Sequence, residues 1–182
     1  MAKQFPAIEA AHADFIAAQH IFFVGTAAAT GQVNVSPKGM DSLRVLGPNR
    51  VIWRNLTGSG NETAGHLRLV NRMTLMWCSF DARPLILRLY GSARTLHAGE
   101  AGFASLDAQF TPDPGARQIY DMAVDIVQTS CGYAVPFYDH TGPRDTLTRW
   151  AEDKDRTEGG IARYWEERNR STIDGFDTGL AP

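Results

Sequence analysis

Two cysteines in 182 residues, Cys78 and Cys131, are too few for a disulfide framework. Neither sits in a Cys-x-x-Cys pair that could begin a thiolate zinc site, so both read as buried free thiols. The five histidines, His12, His20, His66, His97 and His140, form no His-x-His or His-Glu-x-x-His spacing, and no metal centre is expected. An excess of either charge is also missing. Lys and Arg total 18 against 20 Asp and Glu, and the basic residues are scattered rather than gathered into runs. Without a basic field, no nucleic-acid partner is expected. No run approaches the roughly 20 apolar residues that a membrane span needs, and the opening MAKQFPAIEAAHADF lacks the apolar core of a signal peptide. No membrane partner is expected, and the expected location is the cytoplasm.

What is present is a globular composition, 43% hydrophobic and 21% charged, at a length that favours one domain over residues 1–182. Ile8, Ala11, Phe15 and Ile16 share a helical face, which places an N-terminal helix within residues 1–20. Over residues 21–130 the texture is β. IFFVGTAAATGQVNVSP reads as a hairpin with its turn at Thr30 and Gly31, Val33 and Val35 facing one side. RVIWRNL is a third strand, leading into a helix through TAGHLRLV; RMTLMWCSF and LILRLYGSARTL flank a polar turn at Asp81 to Pro84. A helical piece spans Ala98 to Phe110. YDMAVDIVQ then alternates Tyr120, Met122, Val124 and Ile126 against Asp121 and Asp125. About six strands joined by short turns favour antiparallel closure into a small barrel. Residues 131–182 are a C-terminal loop and charged helices, anchored by Trp150 and Trp165, with an irregular tail.

TGSGNET, residues 57–63, follows a strand and opens a helix, so its backbone N–H groups and the helix N-terminus can face an anion such as phosphate. It is neither a Walker A loop, having no Gly-Lys-Ser/Thr, nor a dinucleotide fingerprint, having Thr63 for the third glycine. A capping box of Ser59 and Glu62 explains the same residues without a ligand. SPKG ends a strand expected beside RVIWRNL, which would let Ser36, Lys38 and Arg54 converge on the anion. A solvated turn lysine is the alternative for Lys38. Arg88, inside LILRLYG, needs a partner, a ligand or an interface unless its stem reaches water. Trp53 and Trp77 read first as core aromatics.

SPKGMD, LTGSGNET and SCGYAVP, with the segment from Phe22 to Leu96, resemble the oxidase-related branch of the pyridoxamine 5'-phosphate oxidase-like, FMN-binding split-barrel family. The resemblance implies a mainly β (α+β) fold, a six-stranded antiparallel split β-barrel with flanking helices, assembled as a homodimer with FMN at the interface. By this resemblance Ser36, Lys38, Arg54, Ser59, Asn61 and Thr63 hold the phosphate. Trp53, Asn55 and Gln128 are kept cofactor positions, and the isoalloxazine lies against strand edges and the QTSCGY loop, with Cys131, of the partner subunit. Arg88 would place positive charge near the flavin pyrimidine. Asn34 stands near the place of a family arginine, and Gly60 to Thr63 replace a basic pair. Val127 replaces a tryptophan and no His-Arg pair follows, so pyridoxamine phosphate is not the expected substrate. The expected function is an FMN-dependent oxidoreductase with an unassigned small-molecule substrate or electron donor and no assigned acid or base. The alternative is a non-enzymatic module binding flavin, deazaflavin or haem.

Overall fold

The computed structural model describes residues 2–181; Met1 and Pro182, the ends of the expected domain, lie outside the described residues. The strands are β1 (Lys3–Phe5), β2 (Phe22–Thr26), β3 (Asn34–Lys38), β4 (Leu43–Gly47), β5 (Arg50–Leu56), β6 (Met73–Cys78), β7 (Ile86–His97) and β8 (Ala116–Ser130). The helices are α1 (Ala10–Ala18), α2 (Glu62–Leu69), α3 (Phe103–Asp107), α4 (Thr146–Asp155) and α5 (Gly160–Arg168). All strand pairs are antiparallel, in the order β3-β2-β6-β7-β8-β5-β4, with β1 added to the far end of β8.

β3 and β4 stand at opposite ends of that path yet are joined only by residues 39–42. A flat sheet would hold them ~29 Å apart, whereas the link reaches at most roughly 18 Å. The sheet therefore curls until its two edges approach, but β3 and β4 do not pair: the fold is a split barrel, not a closed one. The expected six strands become eight. β1 is short, and β4 (LRVLG) lies between SPKG and RVIWRNL, so the hydrogen-bonded neighbour of β3 is β2 and not β5.

Alternate residues fill the barrel: Trp53 on β5, Leu75 and Trp77 on β6, Leu87 and Leu89 on β7, and Tyr120 and Met122 on β8, closed by Phe15 and Ile16 of α1. A smaller cluster on the other face of β5 and β8 packs Ile52 and Ile119 with Phe110. Inward alternation on β8 does not continue to Ile126. A bulge pairs Tyr90 with Ile126 and Gly91 with Val124, leaving Asp125 unpaired, so Val127 turns inward and Ile126 outward. Gly91 is required there, because a Cβ would lie 1.9 Å from the Ala123 carbonyl oxygen. Val33 and Val35 do share a direction, but it is outward.

The helix expected over Ala98 to Phe110 is confined to α3, whose N-cap Gly102 has φ 91°. Trp150 meets Tyr164 edge-on at 4.9 Å, joining α4 to α5. Among the described residues no helix is long and apolar enough to cross a membrane.

Candidate functional site

The glycine-rich turn is closed by the chain's own C-terminal segment. Thr57 accepts the Trp165 indole N–H at 2.7 Å and donates its hydroxyl to Gly115 O at 2.8 Å. Asn169 donates to Gly58 O at 3.0 Å, Asn61 donates to Asn169 O at 3.0 Å, and the Glu62 carboxylate accepts the Ile173 N–H at 3.0 Å. The alternative reading of a Ser59–Glu62 capping box does not hold: the N-cap is Asn61, which makes no side-chain cap, and Ser59 is exposed. Thr63 is buried and accepts from Asn34 at 3.3 Å; Asn34 also donates to Thr26 at 3.2 Å, whose hydroxyl bonds His66 Nδ1 at 3.2 Å. Asn61 and Thr63 thus hold α2 and the tail in place. Each has a structural task that the sequence alone did not reveal.

The inner face of β3 carries a different chemistry. Asn34, Ser36 and Lys38 point the same way along the strand, and Lys38 Nζ lies 5.5 Å from the ring centroid of Trp53. Trp53 is fully buried and stacks on Tyr120 at 4.4 Å. Burial, then the charge of Arg117, brings the Lys38 ammonium down to about 8. Arg117, 1% exposed, donates from Nη2 to Gly60 O at 3.1 Å, while its Nε and Nη1, and the Nε1 of Trp53, have no hydrogen-bond partner among the described residues. Burial pulls this guanidinium down to about 10. Neither cation forms an ion pair with a carboxylate among the described residues. Two desolvated cations without a counter-charge are costly, and an anion would relieve both.

Beneath them a polar network fixes the platform. Asn55 donates to Gln118 at 3.0 Å, Tyr120 donates to the same oxygen at 3.1 Å, and the Gln118 amide meets His97 Nδ1 at 3.3 Å. Asn55 is therefore a positioning residue beside Trp53. Burial pushes the Tyr120 phenol up, so it stays a donor.

Arg54 does not join Lys38. Strand alternation sends Trp53 and Asn55 inward and Arg54 to the opposite face. There, 3% exposed, it lies 5.0 Å from the Phe110 ring centroid, donates to Thr111 O at 2.6 Å and pairs with Asp107 at 3.4 Å. It fastens α3 to the barrel.

Arg88 and Gln128 are cross-strand partners on the outward face of β7 and β8. Arg88 donates to Ser130 Oγ at 3.3 Å, and Tyr90 donates to Gln128 at 3.2 Å. Two registers run across this face: Pro37, Phe23, Met76, Arg88, Gln128 and Gln4; and Val35, Gly25, Thr74, Tyr90 and Ile126. None of these residues is buried. Cys131 follows at the edge and is exposed, contrary to the expected buried thiol; Cys78 is buried, and burial pushes its thiol up. Lys38 and Arg88 therefore occupy opposite faces of the sheet. Among the described residues no cluster of three or more His, Cys, Asp or Glu could hold a metal.

Arg117 is the residue that sequence reasoning missed. In DPGARQIY it precedes the readable alternation from Tyr120 onward, and nothing local marks it as buried.

Residues 8–131 match the sequence model described as pyridoxamine 5'-phosphate oxidase. The chain belongs to that family. The pyridoxamine 5'-phosphate oxidase family protein ustO of Aspergillus flavus is 38% identical over 180 residues, covering 90% of this chain and 72% of the relative. Among solved structures, HupZ of Group A Streptococcus aligns with a TM-score of 0.51 at 20% identity, covering 65% of this chain and 91% of that one. A Clostridium acetobutylicum protein related to general stress protein 26, of the pyridoxinephosphate oxidase family, aligns with a TM-score of 0.51 at 17% identity, covering 65% and 84%. At such identities the structural likeness shows the fold that this family member shares with them.

Proposed function

We propose that this family member is a homodimeric flavoprotein that binds FMN and acts as an oxidoreductase on a small-molecule substrate or electron donor. The observation that carries the reading is Lys38, an ammonium drawn over Trp53 without a carboxylate partner. A phosphate monoester supplies the charge that this arrangement lacks. Ser36, on the same side of β3, adds a hydroxyl donor. The outward face of the sheet supports the dimer: two complete cross-strand registers lie uncovered, and they include Val35 at 66% and Ile126 at 40% exposure. A second copy of the chain is the proposed cover, and the flavin whose phosphate one copy holds at Lys38 lays its ring against the Arg88, Gln128 and Cys131 segment of the other copy.

Bound FMN would supply the two-electron chemistry. The protein's own part is to bind and orient: Lys38 holds the phosphate, Tyr90 fixes the Gln128 amide, and Arg88 places positive charge on the interface. Pyridoxamine phosphate is not the proposed substrate, because Val127 and the following residues lack the oxidase's substrate-recognition side chains.

One observation favours the rival reading, a module that binds flavin, deazaflavin or haem without turnover. Asn61, Glu62 and Thr63 are engaged within the chain, which leaves the phosphate fewer hydroxyl and amide donors. A visible absorbance spectrum of purified protein, before and after added FMN, tests the main reading. A flavin spectrum whose band is bleached by NADPH or NADH and restored by an acceptor supports an enzyme. A stable flavin spectrum that no reductant turns over supports the carrier, and a colourless protein that ignores FMN ends the flavoprotein reading.

A further inference from the structure

We propose that Arg117 is a phosphate-binding residue, acting from the start of β8 together with Lys38 of β3, and that it supplies a second cation to a chain that carries Asn34, not an arginine, on β3. This inference rests on the FMN reading for the identity of the ligand, but not for the existence of the anion site.

Four observations place the site. Arg117 is 1% exposed, yet only its Nη2 is used, on the carbonyl of Gly60. Its Nε and Nη1 are left without partners, as is the indole Nε1 of Trp53, the residue on which Lys38 rests. Arg117 is the extra residue at the β5/β8 register shift, opposite Asn55 and Leu56, and Lys38 lies over Trp53 of that same end of β5, so the two cations flank one stretch of strand. Finally, no carboxylate among the described residues forms an ion pair with Arg117.

Leaving a buried guanidinium with unused donors costs more than replacing it by an apolar side chain of similar size. The arrangement is explained if a group with several acceptor oxygens and a negative charge is bound by Arg117 and Lys38 together. A planar fork and a point charge together suit a tetrahedral phosphate dianion better than either does alone. The Gly60 carbonyl then has a positioning role: it holds one arm of the fork so that Nε and Nη1 are presented to the ligand.

The test compares FMN with riboflavin, which lacks the phosphate, by quenching of flavin fluorescence on the full chain. The wild type is expected to prefer FMN. Arg117→Met is expected to weaken FMN binding roughly 10–100-fold, the range for losing a hydrogen bond to a charged group, while riboflavin affinity stays the same and the preference collapses. If Arg117→Met does not fold, Arg117→Lys carries the same comparison, since it keeps a charge but loses the fork. An unchanged FMN to riboflavin ratio in the folded variant overturns the proposal and leaves Arg117 a clamp on Gly60. If the wild type binds neither flavin, the flavoprotein reading has failed separately. Low-millimolar inorganic phosphate at constant ionic strength then decides: a rise in melting temperature that Arg117→Met or Arg117→Lys abolishes upholds the anion site, and no rise in the wild type overturns it.

Discussion

Trp165 donates its indole N–H to the hydroxyl of Thr57 at 2.7 Å, across 108 residues of sequence, and ties α5 to the first residue of the glycine-rich turn. The same turn is met by Asn169 and Ile173. A motif that reads locally as an open anion cradle is therefore also the place where the C-terminal segment is fastened to the barrel. The proposed anion site lies further in, on the faces of β3 and β8.

Asn169 is fully buried and bridges Gly58, Asn61 and, through its carbonyl, Thr178. Asn169→Ala removes the side-chain bond to the Gly58 carbonyl and leaves a gap at a fully buried position. A loss of about 1–3 kcal/mol in unfolding free energy is expected from urea titration. Wild-type stability would show that the tail contributes little to holding the turn.

Arg54 is bonded to Thr111 O and to Asp107 of α3. Arg54→Met breaks its bond to Thr111 O and its pairing with Asp107. The expected result is a destabilisation of about 2–4 kcal/mol with FMN affinity preserved in the folded fraction. A selective loss of FMN binding without loss of stability would return Arg54 to the phosphate site.

Gly91 sits at the β7/β8 bulge with no room for a methyl group, since the nearest backbone oxygen would be 1.9 Å away. Gly91→Ala must shift β8 or undo the bulge, and a cost of at least ~2 kcal/mol is expected. Thermal unfolding measures it; an unchanged midpoint would mean that the two strands slide apart freely.

The Lys38 ammonium has a pKa of about 8 in the fold against the ordinary 10.5. Between those values the unfolded chain binds a proton there that the folded chain has released. Stability of the ligand-free protein should therefore rise from about pH 8 to about pH 10, and below pH 8 the cost of burying the charge is present in full. The raised phenol of Tyr120 acts in the opposite sense only above its ordinary pKa of 10. Lys38→Met should flatten the rise. Parallel stability curves for the two proteins over this window would contradict the burial of an unpaired ammonium.

How much of this was legible follows residue by residue. The strand-turn-helix through Leu56 and Glu62 was readable, because an apolar run of β-formers meets two glycines and then a helical spacing. β4 was not recognised, and its omission put Lys38 beside the wrong strand. Period-2 alternation separates Trp53 from Arg54 but does not say which of them faces the core; that is decided by the curl of the sheet and by α3, both set by distant residues. Lys38 does reach RVIWRNL, but over Trp53 rather than beside Arg54. Arg117 and the tail from Asn169 to Thr178 escaped because their burial arises entirely from contacts far apart in sequence.

The most direct measurement is an FMN titration followed by flavin fluorescence on wild type, Lys38→Ala and Arg54→Met. The account predicts saturable quenching in the wild type, weakened roughly 10-fold or more by Lys38→Ala and unchanged by Arg54→Met. No quenching in the wild type, or equal affinity in Lys38→Ala, would contradict it.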